Sequence, residues 1–332
     1  MRAVFLLMPL LLAAAEPPQA ELSNGSLRVK VYLPDAANGF YRATRFDWSG
    51  MIETVEYGGH KFYGRWFQGT DPAVHDFEYR GADIVAGPNT AATGPAEEFN
   101  TNNKGLGFDD AKTGGTFLKI GVGVLRRPDD RDYDHFRLYD IVDPGKWTNR
   151  MARDSAEFTQ AVNDAASGYG YEYRKTVRLV GNGAEMEIAH SFRNTGKKPI
   201  SSRVYNHNFL VIDGQAPGPD FTISVPFEIR SQRPPDADLA EIRGTQILYR
   251  KTLDGRDRVM TQMEGFGAAP SDYDVKVINT KTGAGVRVTA DRPLASLALW
   301  SIRAVMSVEP FVEFSVKPGE TYTWTLRYRY LK

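Results

Sequence analysis

Residues 204–213, V-Y-N-H-N-F-L-V-I-D, set Asn206, His207 and Asn208 in a row inside an otherwise apolar run. Val204, Leu210 and Ile212 alternate with Tyr205, Phe209 and Val211, the pattern of a strand buried on both faces. Burying a polar group costs about 1–3 kcal/mol unless it finds a partner. A strand that served only the core would not carry three of them. The period of two puts His207 on the face of Tyr205 and Phe209, an imidazole among aromatic rings with an Asn on either side. The plain alternative is a satisfied core histidine; the polar triplet favours a site.

A second reactive group lies a hundred residues on, in V-E-P-F-V-E-F-S-V (308–316). Val308, Pro310, Val312, Phe314 and Val316 share one face of this strand, and Glu309, Phe311, Glu313 and Ser315 the other. Pro310 denies the ladder a donor and holds Glu309 extended, which places the strand's start at an edge or bulge. A carboxylate fixed beside aromatic rings has a raised pKa and can act as a base near neutral pH. Glu313 reads as the exposed counterpart. A histidine acid and a glutamate base on two distant strands are what sugar-ring opening requires. One group takes the proton of the anomeric hydroxyl while the other delivers a proton to the ring oxygen. An unperturbed histidine near 6.5 suits the donor and a desolvated glutamate the acceptor. The scheme needs neither metal nor cofactor.

The elements that must position these groups read as short strands between turns from Leu27 onward. Residues 41–52 are expected to form a strand with Arg45 and Asp47 paired on one face. Residues 81–115, rich in Gly, Pro, Asn and Thr, are expected to form a long irregular loop containing Glu97-Glu98. F-L-K-I-G-V-G-V-L (117–125) reads as one strong strand with two glycines at a close approach or bulge. Lys119 within it either reaches solvent or reaches a ligand. Residues 128–134, P-D-D-R-D-Y-D, lack the glycine and closing glutamate of a calcium loop and read as a solvated tip. His190 is expected to be a structural sheet histidine. Residues 169–178 and 184–193 form a hairpin about Gly181-Asn182-Gly183. Residues 294–302, 308–316 and 322–330 close the chain as three strands. Only brief segments such as 237–242 have helical character. The fold class is all-β, one large antiparallel β-sandwich over residues 16–332.

The motifs T-R-F-D-W-S-G (44–50), K-I-G-V-G-V-L (119–125), H-S-F-R-N-T-G-K-K-P-I (190–200), Y-N-H-N-F (205–209), V-E-P (308–310) and P-G-E-T-Y-T-W (318–324) together resemble the galactose mutarotase-like superfamily, the aldose 1-epimerases, in an exported branch. The resemblance implies a supersandwich fold, His207 as general acid and Glu309 as general base. The family's H-G-G histidine has no counterpart, since Thr113 precedes Gly114-Gly115. Arg45, Glu98 and Lys119 are expected to take over that binding role beside Asn206 and Asn208.

Composition narrows the partners. Lys+Arg 41 and Asp+Glu 41 balance to zero, which argues against nucleic acid and against a polybasic membrane patch. Zero cysteines exclude disulfides, thiolate catalysis and Cys-ligated zinc. Aromatic content of 12% suits a sheet protein that binds carbohydrate. Trp48, Trp66 and Trp147 are available to stack on a sugar. Residues 1–15, with Arg2, a short apolar run and Ala13-Ala14-Ala15, read as a cleavable signal peptide. The expected protein is secreted or periplasmic, free of the membrane after cleavage, and partnered by a small-molecule sugar or glycan. Two other functions fit the same sequence. One is a non-catalytic carbohydrate-binding sandwich. The other is a polysaccharide lyase or hydrolase using Glu309 with Glu313.

Overall fold

The computed structural model describes residues 16–332; the expected signal peptide lies outside the described residues. Strands dominate, and no α-helix occurs among the described residues, only short 3-10 turns at Ile212–Gly214 and Pro270–Asp272. The alternating hydrophobic pattern explains this: period two buries one side of each strand, and nothing sustains a period of 3.6. Residues 237–242, expected to have helical character, instead run into a strand at Ala240–Arg243, where Ile242 pairs with Ile247.

Two antiparallel sheets form the sandwich. The larger has ten strands, in the order 146–151, 155–164, 169–179, 185–194, 321–331, 285–290, 274–279, 221–224, 246–249 and 240–243. The smaller has five: Arg258–Gln262, Ser296–Ile302, Val305–Val316, Ile200–His207 and Ala96–Asn100. The inner faces meet through aromatic pairs such as Phe314 with Trp324, 5.6 Å between ring centroids, and Phe99 with Tyr173, 5.2 Å. This is an aligned β-sandwich core. A second apolar cluster lies on the other side of the five-stranded sheet, where Phe46, Trp66, Phe117 and Phe209 pack together.

Three expected elements differ. Residues 41–51 form no strand; they cross the smaller sheet as an irregular, buried segment held by Asp47 N–H to Glu97 O (2.8 Å) and Trp48 N–H to Gly121 O (3.0 Å). Arg45 and Asp47 therefore do not pair; each finds a different partner. The expected loop at 81–115 contains the strands Asp83–Ala86 and Ala96–Asn100, the second paired with the His207 strand. Its Glu-Glu pair hid it, because buried carboxylates do not resemble a strand's apolar ladder. Residues 117–125 form a hairpin rather than one strand, Thr116–Lys119 against Gly123–Arg126. Both glycines are close approaches: a Cβ on Gly121 would lie 2.7 Å from Asp47, and one on Gly123 2.2 Å from Asp143 O.

Candidate active site

The strand Ile200–His207 pairs on one side with Ala96–Asn100, with His207 opposite Ala96, Asn206 opposite Glu97 and Tyr205 opposite Glu98. On its other side it pairs with Val305–Val316, and the ladder ends at Tyr205 opposite Phe311. The next position would need the N–H that Pro310 lacks. The register nevertheless carries Glu309 alongside His207. Of the two expected placements, edge or bulge, Pro310 is not at an edge: it lies within the strand Val305–Val316, flanked on both sides, and interrupts the ladder at the site.

His207 Nε2 and Glu309 Oε1 are 3.1 Å apart. They stand side by side on one wall, so no pyranose ring fits between them. The imidazole is stacked on Phe209 (3.7 Å between centroids) and edged by Trp300 (5.4 Å) and Phe46 (5.9 Å). Its Nδ1 is buried with no hydrogen-bond partner. Phe209 reaches its place with a φ of 33°, a rare conformation for a bulky residue. The strand expected to span 204–213 accordingly stops at His207. Burial, reinforced by the Arg45 charge, depresses the His207 pKa well below 6.5. Burial raises Glu309 to about 7 against the opposing pull of Arg45. Burial thus moves the two groups in opposite directions, against the ionised form of each.

The pair opens onto a cleft of about 310 Å³ lined by Arg45, Asp76, Thr90, Phe136, Phe209, Arg258, Met260 and Trp300. That volume suits a monosaccharide, at the low end of ligand pockets. Cross-strand register explains the lining. Met260 lies opposite Trp300 and Trp300 opposite Ser307, so Arg258, Met260, Trp300 and Glu309 project from one face.

Among the expected binding residues, only Arg45 lines the cleft. Its Nε donates to Glu98 Oε2 (2.8 Å) and its Nη2 to Tyr205 Oη (3.0 Å), and Tyr205 in turn donates to Glu98 Oε2 (2.6 Å). Lys119 Nζ donates to Glu98 Oε1 at 2.9 Å. Glu98 and Lys119 are therefore buried, paired charges that do not line the cleft. Burial opposes ionisation of Glu98, but Lys119 and Arg45 outweigh it and hold its carboxyl well below the usual range.

Asn206 and Asn208 point to the sandwich interior, away from the cleft, because alternation gives them the face opposite His207. Asn206 Nδ2 donates to Glu97 Oε1 (3.1 Å). Asn208 donates to Val308 O (2.6 Å) and accepts from Tyr328 Oη (3.0 Å). Both are anchors of the strand. Glu97 also accepts from Tyr173 (3.0 Å), and it meets Lys175 (3.2 Å) and His190 (2.7 Å). His190 is thus tied into the interior, as expected of a sheet histidine.

Trp48 and Trp66 are buried, each indole donating to a backbone carbonyl, and Trp147 stacks on Trp48; none lines the cleft. Trp300 does, as an aromatic wall that sequence reasoning does not single out. Its signal is present in the strand 294–302, but only register shows which face it shares. The tip at 128–134 leads into Phe136, whose ring lies under the Arg45 guanidinium (4.9 Å). No cluster of three metal-ligating side chains occurs among the described residues.

The sequence matches no protein-family model and no curated protein. Solved structures resemble it along their length. A protein from Synechocystis sp. PCC 6803 is 12% identical with a TM-score of 0.55, over 98% of this chain and 99% of that one. A galactose mutarotase related enzyme from Lactobacillus acidophilus is 13% identical with a TM-score of 0.52, over 94% and 97%. An aldose epimerase homologue from C. elegans is 13% identical with a TM-score of 0.52, over 94% and 98%. The fold is that of a galactose mutarotase-like β-sandwich, as the sequence motifs led us to expect.

Proposed function

We propose that this protein is a mutarotase or 1-epimerase of a free sugar, with His207 and Glu309 as its acid–base pair. The observation that carries the reading is the pair itself, 3.1 Å apart on the wall of a monosaccharide-sized cleft, with pKa values moved toward each other and past. Ring opening moves a proton from the anomeric hydroxyl to the ring oxygen. Both oxygens are bonded to one carbon, so two adjacent groups on one wall can address both. With the resting proton on Glu309, Glu309 protonates the ring oxygen and His207 accepts the anomeric proton. Closure on the other face, after rotation about the first carbon–carbon bond, runs the same transfers backward. This reverses the acid and base roles expected from the family resemblance, and the cause is desolvation of both groups. Trp300 is the platform for the sugar's apolar face. The same reading places the protein in the periplasm or outside the cell, supported by the signal-like residues 1–15.

The direct His207–Glu309 contact also favours a second reading, a glycan-binding sandwich without catalysis, since the two groups already satisfy each other. Polarimetry of freshly dissolved α-glucose and α-galactose decides. The expected result is acceleration over the spontaneous rate that falls about 10²–10⁴-fold in His207→Ala. No acceleration by the wild type with any sugar that binds leaves the second reading.

A further inference from the structure

Two guanidinium groups reach the cleft with donors to spare. Arg45 is only 6% exposed, yet its Nη1 has no acceptor among the described residues, while Nε and Nη2 are committed to Glu98 and Tyr205. Its plane is held by Phe46 on one ring (4.5 Å) and Phe136 on another (4.9 Å). Arg258 is exposed on the cleft lining, and its guanidinium has neither ion pair nor hydrogen bond to a described residue. Behind the cleft two basic groups share one carboxylate. Glu98 is the one carboxylate paired with both Arg45 and Lys119. Asp76 also lines the cleft, but it accepts a hydrogen bond from Thr90 (2.8 Å) and forms no ion pair with either guanidinium.

We propose that the ligand of this cleft is a sugar acid, a hexuronate whose carboxylate meets Arg45 Nη1 and the Arg258 guanidinium. Its anomeric carbon then faces His207 and Glu309. A planar carboxylate matches the donor geometry of the two unused guanidinium edges. The proposal rests on reading the cleft as a sugar site, and it concerns which sugar that is.

The test is titration calorimetry on the full protein with glucuronate and galacturonate, beside neutral glucuronamide and galacturonamide and beside glucose 6-phosphate. One uronate is expected to bind about ten-fold or more tighter than its amide, and tighter than the phosphate ester. Arg258→Gln, at an exposed position with no side-chain partner to lose, is expected to lower the uronate-to-amide affinity ratio several-fold. Equal affinity for uronate and amide, tighter binding of glucose 6-phosphate, a ratio unchanged in Arg258→Gln, or no binding of any of these ligands would overturn the proposal. Polarimetry on the same ligands separates it from the preceding one. Uronate binding without accelerated mutarotation removes the catalytic reading alone. Accelerated mutarotation of neutral sugars without anion preference removes this one alone.

Discussion

Replacing Glu309 by Gln separates catalysis from stability in a way that depends on pH. The side chain is 14% exposed, and burial lifts its pKa from the ordinary 4.5 to about 7. In the unfolded chain the carboxyl ionises near 4.5, whereas in the folded protein it holds its proton until about 7. Between those values the folded state binds more protons, so stability falls as pH rises across that window. Each pH unit is about 1.4 kcal/mol, so by pH 8 an ionised Glu309 costs the fold about 3 kcal/mol. The glutamine amide that replaces it has the shape of the neutral acid and can still donate to His207 Nε2, without titrating. Glu309→Gln is therefore expected to be nearly neutral at pH 4.5 and to raise stability at pH 8 by about 3 kcal/mol, about 5 °C in melting temperature for a chain of this length. Its mutarotation rate is expected to fall about 10²–10⁴-fold at every pH. Differential scanning calorimetry at the two pH values checks the first expectation and polarimetry the second. A variant destabilised equally at pH 4.5 and pH 8 would refute the reasoning, because Glu309 would then be a structural hydrogen-bond partner rather than a desolvated acid.

Two further perturbations test how the site is built. Trp300→Ala removes the aromatic wall and is expected to raise KM about five- to ten-fold with little change in kcat; a selective loss of kcat would mean that Trp300 acts on His207 instead of on the sugar. Glu97→Gln leaves the buried Lys175 with Asp47 alone at 3.5 Å and is expected to cost about 3–5 kcal/mol in urea unfolding. Glu313→Gln, on a side chain 62% exposed and paired with Arg203 at 3.6 Å, is the contrast and is expected to cost under about 1 kcal/mol. Similar losses in the two glutamate variants would show that the interior cluster does not hold the sheets as described.

The sandwich is legible in the sequence because alternation is local: 169–178, 308–316 and 322–330 fall in strands, as does 184–193 from Glu185 onward, with alternating positions buried. The same alternation puts His207 and Glu309 on faces that also carry Tyr205 and Phe311, and those two rings stack at 4.4 Å. What alternation cannot supply is register. Arg258, Met260 and Trp300 enter the cleft because 258–262, 296–302 and 305–316 are aligned residue against residue, and no single stretch records that alignment. Residues 41–51 depart from the expected strand for a related reason. Their alternating aromatic and charged side chains look like a strand, but each charge has a separate buried partner, and satisfying those partners fixes an irregular path. Asn206 and Asn208 stand out in the sequence correctly as buried polar groups. Their partners, Glu97, Val308 O and Tyr328, come from elsewhere in the fold, so the triplet alone does not separate an anchor from a ligand-binding role.

The adjacent carboxylates Glu97 and Glu98 explain why the site strand can carry polar groups at all. Successive strand residues face opposite ways, so Glu97 enters the sandwich interior to meet Lys175, His190 and Asn206, while Glu98 enters the cleft side to meet Arg45, Lys119 and Tyr205. Each cluster joins the Ala96–Asn100 strand to the Ile200–His207 strand, through Asn206 on one face and Tyr205 on the other. A one-residue slip of that pairing would exchange the faces and leave buried cations without carboxylates, a far larger penalty than a slip between apolar strands. The charges thus select one register, and that register places His207 beside Glu309. Where the pairing can no longer continue, at Pro310 and at the strained Phe209, the sheet opens into the cleft. The polar interior fixes the alignment of the strands, and the His207–Glu309 pair is set by that alignment.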